Sequence, residues 1–222
     1  MAEGFIAGAA LRGSLGYLKR FSVVIRIWLL WLAACAAAVA VSFAELDVRV
    51  ARRFWDVGRH LSALNTAFGA AVILTLESAV VLVLILARVT RGHLSRPGET
   101  LGVACLASIC AYGINDQVLK PLFGVQPPAA VLHGARHVFF AVSSGSLGFP
   151  SGHMVLAGSF AGVFMRLYRA SLWPLAALLL VAAILLIVGD WHFVSDVIAG
   201  SFLGISAGFL AGEGWLIHMY ER

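Results

Sequence analysis

An all-α bundle of six membrane-crossing helices is the fold class the sequence predicts, and three observations predict it. Apolar residues make up 61% of the 222 positions and charged residues only 12%, far from the balance of a soluble domain. The apolar residues gather in stretches long enough to cross about 30 Å of hydrocarbon, which takes about 20 helical residues. Too little polar residue remains to coat a soluble bundle of buried helices.

The first span falls at about 22–44. Its apolar run is too long for a signal-peptide core and ends in Phe43-Ala44-Glu45 with no small-x-small cleavage site, which makes it a retained helix. Before it, residues 1–21 set Leu11, Leu15 and Leu18 at helical spacing with Arg12, Lys19 and Arg20 as cations. This is an interfacial or flexible segment, and the membrane domain is 22–222. Spans two and three fall at about 67–89 and 101–118. Glu77, in the middle of the second, calls for a helix–helix hydrogen bond. The fourth, 153–168, is short and crosses only if its helix begins at or before His153. The fifth and sixth are 171–189 and 194–217, and Gly200, Gly204, Gly208 and Gly212 recur on one face of the last, which predicts close helix packing. Cys35, Cys105 and Cys110 lie inside spans without CxxC spacing and read as small core residues rather than metal ligands.

Orientation follows from lysines and arginines in the short loops. With the N-terminus cytoplasmic, that side holds Arg12, Lys19, Arg20, Arg88, Arg91, Arg96, Arg166, Arg169 and Arg222, with Arg26 nearby. The other holds Arg49, Arg52, Arg53, Arg59, Lys120 and Arg136. The long 119–152 loop and the turn at His192 then share the outer face. The net charge of +5 is topological: no basic stripe interleaves with aromatics as a nucleic-acid surface would require, and anionic lipid headgroups are the partners expected of the arginine-rich loops.

The chemistry gathers in three places. Asn115-Asp116-Gln117-Val118-Leu119-Lys120 ends a span in a lysine with an aspartate four residues before it, so a local ion pair is available beside a plain interfacial anchor. Ser143-Ser144-Gly145-Ser146-Leu147-Gly148-Phe149-Pro150-Ser151-Gly152-His153 leads into a helix. Serine and glycine there serve either as a cap or as a cradle of N–H groups for phosphate, with His153 beside it. His192 and Asp196 stand four apart at the start of the sixth span and therefore on one helical face, so the carboxylate can fix one ring nitrogen and leave the other to attack or take a proton. Two histidines allow nucleophile and general acid to be divided. His133 and His137 flank Arg136 in the outer loop and read as solvated loop residues. That loop shows no regular structure and suits an entrance lid.

Lys120 with Leu-Phe-Gly after it, the Phe149-Pro150-Ser151-Gly152-His153 run, and His192-x-x-x-Asp196 followed by Val-Ile-Ala-Gly resemble the three ordered motifs of the type 2 phosphatidic acid phosphatase superfamily. The resemblance covers about 67–217. It implies that His192 is the nucleophile held by Asp196, that His153 protonates the leaving group, and that Lys120, Ser151 and Gly152 contact the phosphate, with no metal and no cofactor. It also implies a lipid phosphate substrate; with the loop charges, the expectation is a bacterial inner-membrane protein with its site on the periplasmic face.

The chain departs from the family at two arginines. Pro127 stands seven residues after Lys120, and Leu185-Leu186 replace the Ser-Arg pair before the nucleophile, so two guanidinium groups are missing. Arg136 is the candidate substitute. Three readings follow: a monoesterase with a rearranged phosphate site, a headgroup transferase of the sphingomyelin-synthase-like type acting on a diester of lower charge, and a non-catalytic protein that keeps the fold.

Overall fold

A computed structural model describes residues 23–61, 69–141 and 146–220. The segment 1–21 and the Ser143, Ser144 and Gly145 stretch lie outside the described residues. The chain forms two compact units, Met1–Ala37 and Ala38–Arg222. The described residues of the first are helical and expose Val24, Leu30 and Trp31, as apolar side chains facing lipid do.

Helix α1 (23–41) runs through a π turn at Ser42–Leu46 into α2 (Asp47–His60), so Val23–His60 is one helical run of 38 residues. That exceeds the roughly 20 residues a crossing needs. The excess is the charged stretch α2, which carries Arg49, Arg52, Arg53 and Arg59. Helix α3 (Ala70–Arg91) stops at Gly92, whose φ of 73° closes the helix with its N–H on the Arg88 carbonyl. Ser95 caps α4 (Arg96–Ile114), accepting from Gly98 N at 3.3 Å, with Pro97 in the first turn; this moves the start of the third span five residues ahead of the expected 101.

The third span does not end at 118. A second π turn, Asn115–Leu119, carries it into α5 (Lys120–Phe123), and Gly124 in the left-handed region ends it. Then α6 (Pro128–Leu132) forms inside the loop expected to lack regular structure, because Pro128 pre-sets the first helical turn. The remaining helices are α7 (Gly152–Leu167), α8 (Leu172–Val188) and α9 (Val194–Tyr220). Among the described residues five helical runs are long and apolar enough to cross a membrane, and α7 is the shorter sixth. It begins before His153, as its crossing requires, and its 16 residues rise about 24 Å.

Helix α7 is the centre of the bundle, packed against α3, α4, α8 and α9. Its partnership with α9 is intimate because the glycines of α9 have no side chain to hold the backbones apart. A Cβ on Gly204 would stand 2.7 Å from the Met154 and Val155 carbonyls, and one on Gly208 2.2 Å from the Ser159 carbonyl. The four-residue glycine repeat thus sets the register of α7, which bears His153, against α9, which follows the turn that bears His192. Deep in the bundle, Ser108 Oγ donates to Glu77 Oε1 at 2.9 Å, the helix–helix bond expected of that glutamate. Cys105 is buried, but Cys110 is exposed: five residues along a helix turn it to the opposite side, so it is not a core residue. Arg166 and Glu213 pair at the far end of α7 and α9.

Candidate active site

The centre lies where the start of α7 meets the turn before α9. Ser151 caps α7 in extended conformation, its Oγ accepting from Met154 N at 3.4 Å, and its own N–H donates to the Asp196 carbonyl at 3.0 Å. The preceding Phe149–Pro150 bond is cis, and Asn115 Nδ2 donates to the Pro150 carbonyl at 3.2 Å. The third, fourth and sixth apolar runs are thereby tied together at one end of the bundle.

His192 is not on a helix, contrary to the shared helical face its spacing suggested. It sits in the turn 189–193, with its N–H on the Leu186 carbonyl at 3.3 Å, and α9 starts two residues later. Asp196 reaches back from the first turn of α9 as a capping residue does: its Oδ2 accepts from Phe193 N at 3.0 Å and lies 3.4 Å from His192 Nδ1. His192 is 9% exposed and Asp196 fully buried. On the other side of the ring, His192 Nε2 lies 3.2 Å from His153 Nδ1, the rings meeting edge to face.

This chain of contacts assigns the protons. An ionised carboxylate only accepts, so His192 Nδ1 carries the hydrogen and Nε2 holds the lone pair. His153 must then donate from Nδ1. The result is an imidazole whose Nε2 lone pair is directed at a proton donor.

Lys120 reaches the same spot from α5. Its Nζ is 2.9 Å from Asp116 Oδ1 and 5.8 Å from the centre of the Tyr112 ring. A Cβ at Gly152 would stand 3.6 Å from that Nζ and 2.8 Å from the Tyr112 ring, so glycine there lets the ammonium and the start of α7 approach. His153, His192, Asp196, Lys120, Ser151 and Gly152 are therefore one cluster. Arg136 is not joined to it: the side chain is exposed in the 133–141 loop and makes no ion pair or hydrogen bond among the described residues. The other two loop histidines do not converge on a metal. His133 meets Trp55 and His137 stacks on Phe43 at 4.0 Å.

The two positions that lack arginine are filled by packing. Leu186 is buried in the cluster of Met154, Leu179 and Val197. Pro127 abuts Gly148, whose Cβ would lie 3.1 Å from Asp196 Oδ2.

Asp47 and Ser195 escaped the sequence reading. Asp47, from α2, is 1% exposed and accepts from Ser195 N at 3.0 Å and Ser195 Oγ at 2.5 Å. It caps the start of α9 from 148 residues away. His137 Nε2 is 3.3 Å from the same carboxylate, out of line for a hydrogen bond, with its ring 4.5 Å from that of Phe193. The serine lay in view inside the third motif, but nothing in the chain announces an aspartate one residue past a π turn as its partner.

The far side of the turn carries Asp190, 8% exposed, at φ 56°, with both carboxylate oxygens lacking a hydrogen-bond partner among the described residues. Burial pushes its carboxyl up to about 6. Between about pH 4 and 6 the folded chain holds a proton that the unfolded chain releases. Stability therefore falls as pH rises through that window and stays lower above it. Asn tolerates the left-handed conformation and carries no charge. Asp190→Asn is expected to raise stability above pH 6 by about 1–3 kcal/mol and to match wild type near pH 4, read from thermal unfolding in detergent. Coincident curves at pH 8 would refute the burial penalty.

The fold and the cluster together define an integral membrane helix bundle with a two-histidine polar centre at one end. The PAP2 superfamily profile matches residues 101–217, and the chain belongs to that superfamily, a family of lipid phosphatases. Among solved structures it is similar to a transmembrane PAP2-type phosphatidylglycerolphosphate phosphatase from Bacillus subtilis, with a TM-score of 0.55 and 18% identity over 87% of this chain and 96% of that one. At that identity the likeness carries the fold. No curated protein matches the sequence.

Proposed function

We propose that the chain hydrolyses a lipid phosphate monoester through a phosphohistidine on His192, on the extracytoplasmic face of a bacterial inner membrane. The observation that carries this is the line of contacts from Asp196 through His192 to His153, at 3.4 and 3.2 Å. His192 Nε2 attacks phosphorus, the P–O bond to the lipid breaks, and the His153 proton passes to the departing alkoxide. Water then attacks the phosphohistidine, His153 takes its proton, the N–P bond breaks, and inorganic phosphate leaves. Ser151, Gly152 and Lys120 hold the non-bridging oxygens at the start of α7. No step calls on a metal.

The two reacting nitrogens are in mutual contact at 3.2 Å. A phosphoryl group has to lie between them, with attack distances of about 3–3.5 Å. Substrate binding therefore parts the imidazoles. Arg136 supplies a guanidinium only by swinging inward from its exposed loop as they part.

A second reading is favoured by the shortage of cations. Lys120 is already paired with Asp116, and Pro127 and Leu186 stand where arginines would. A phosphodiester, with one negative charge fewer than a monoester dianion, fits a site this weakly positive, and the reaction would then be headgroup transfer.

Purified protein in detergent, offered phosphatidate, an isoprenoid phosphate, phosphatidylglycerol phosphate, and a diester lipid with an acceptor, separates these readings, with His192→Ala as background. Phosphate release from a monoester, lost in the variant, is the expected result. Headgroup transfer alone would establish the transferase, and silence on every substrate would leave a non-catalytic fold.

A further inference from the structure

The longest stretch of charge in the chain lies across the site. Both ends of α2 dock on the segment that holds His192: Asp47 on Ser195, and Gly58 on Asp190, where a Cβ on the glycine would stand 2.6 Å from the aspartate Cβ. Between those two anchors α2 turns Arg49, Arg52 and Arg53 outward, and Arg59 follows just past the second. Arg49 pairs with Glu45 at 2.9 Å. Arg52 makes no ion pair or hydrogen bond among the described residues, Asp56 one turn on included, and with Trp55, Leu132 and His133 it lines a notch of about 300 Å³.

We infer that this notch is a second anion subsite, taking a phosphodiester or like anionic group that a lipid substrate carries beside its scissile phosphate. The inference rests on the phosphatase reading of the neighbouring centre.

Geometry links the two sites through α6. Its leading Pro127 abuts Gly148 beside Asp196, and its other end delivers Leu132 and His133 to the notch. Five helical residues advance about 8 Å, so one short helix joins the edge of the centre to the notch.

The donor chemistry suits an anion. Arg52 offers a fork of N–H groups to phosphate oxygens. The His133 Nδ1 hydrogen is committed to the Ala129 carbonyl at 2.7 Å. Trp55 and Leu132 give the notch an apolar wall. The subsite also makes sense of the two lost arginines: affinity for a doubly anionic headgroup comes from α2, while the reacting phosphoryl meets a site of lower charge.

The test compares wild type, Arg52→Ala and Arg53→Ala on phosphatidate and on phosphatidylglycerol phosphate, which adds a diester to the terminal monoester. Binding of both lipids to His192→Ala protein is followed in parallel by thermal shift, with and without Arg52→Ala. Arg52→Ala is expected to raise KM for the diester-bearing lipid on the order of tenfold and leave kcat and phosphatidate unchanged. Arg53→Ala, outside the notch, should match wild type on both.

Equal losses on the two lipids, or none, would overturn the subsite. So would an effect on phosphatidate that appears only when phosphatidylglycerol is added to the micelles, because the occupant would then be a neighbouring lipid. Arg52-dependent binding of the diester lipid without turnover by wild type would keep the subsite and sink the phosphatase reading.

Discussion

Alanine at His153 is expected to slow release of phosphate from an alkyl lipid phosphate by about a hundred- to ten-thousand-fold, and to slow attack on an aryl phosphate far less. The reason is the leaving group. An alkoxide cannot depart without a proton, and the relay places that proton on His153 Nδ1, 3.2 Å from the attacking nitrogen. A phenolate departs unaided. With an aryl substrate the variant should therefore complete the first half of the reaction and stall in the second, because activation of water has lost its base. Labelled phosphate would then accumulate on the protein as an acid-labile adduct. His192→Ala should show neither release nor adduct with either substrate. A loss in His153→Ala that is the same for alkyl and aryl phosphates would exclude a general acid and leave His153 a binding group.

How much of this was legible in the chain follows the range of the interactions. Helix existence came from composition and length, because a membrane solvent demands long apolar runs. The spans at 70–91 and 172–188 lie close to where they were expected. The glycine repeat of α9 was equally open, since four-residue spacing fixes one helix face whatever packs there. The three motifs brought Lys120, Ser151, Gly152, His153, His192 and Asp196 to notice, and the fold does gather them. Their means of gathering was hidden. Asp196 meets His192 by reaching back as a helix cap, not by sharing a helix face, and a sequence spacing of four describes both. The π turns at Ser42–Leu46 and Asn115–Leu119 rotate Asp47 and Lys120 relative to a regular helix. No residue type marks such a turn. Arg136 looked like a substitute cation because it shares a loop with the site, and loop membership carries no information on where a side chain points.

Loss of Asp47 should reach the reaction through α9 without touching substrate. Asp47→Ala leaves the Ser195 N–H and hydroxyl buried at the start of that helix with no acceptor, at about 1–3 kcal/mol for each group. Some of that cost is recovered if the helix start shifts, and the shift would displace Phe193 and Asp196, whose mutual hydrogen bond aims the carboxylate at His192. Turnover is therefore expected to fall about ten- to a hundred-fold, a scale typical of a misplacement near 1 Å, with KM little changed because no phosphate donor is removed. Asp47→Asn separates capping from charge. Its amide oxygen still accepts from Ser195 N, so helix geometry and unfolding temperature should stay near wild type. His137, packed between Phe43 and Phe193 beside that carboxylate, would face a neutral amide instead. Ser195→Ala keeps the backbone bond and should lose less than Asp47→Ala. A role in stability alone predicts that kcat per folded molecule and its pH profile are identical in all three variants. A positioning role predicts that kcat falls in the order Asp47→Ala, then Ser195→Ala, then Asp47→Asn, even when active-site titration corrects for unfolded protein.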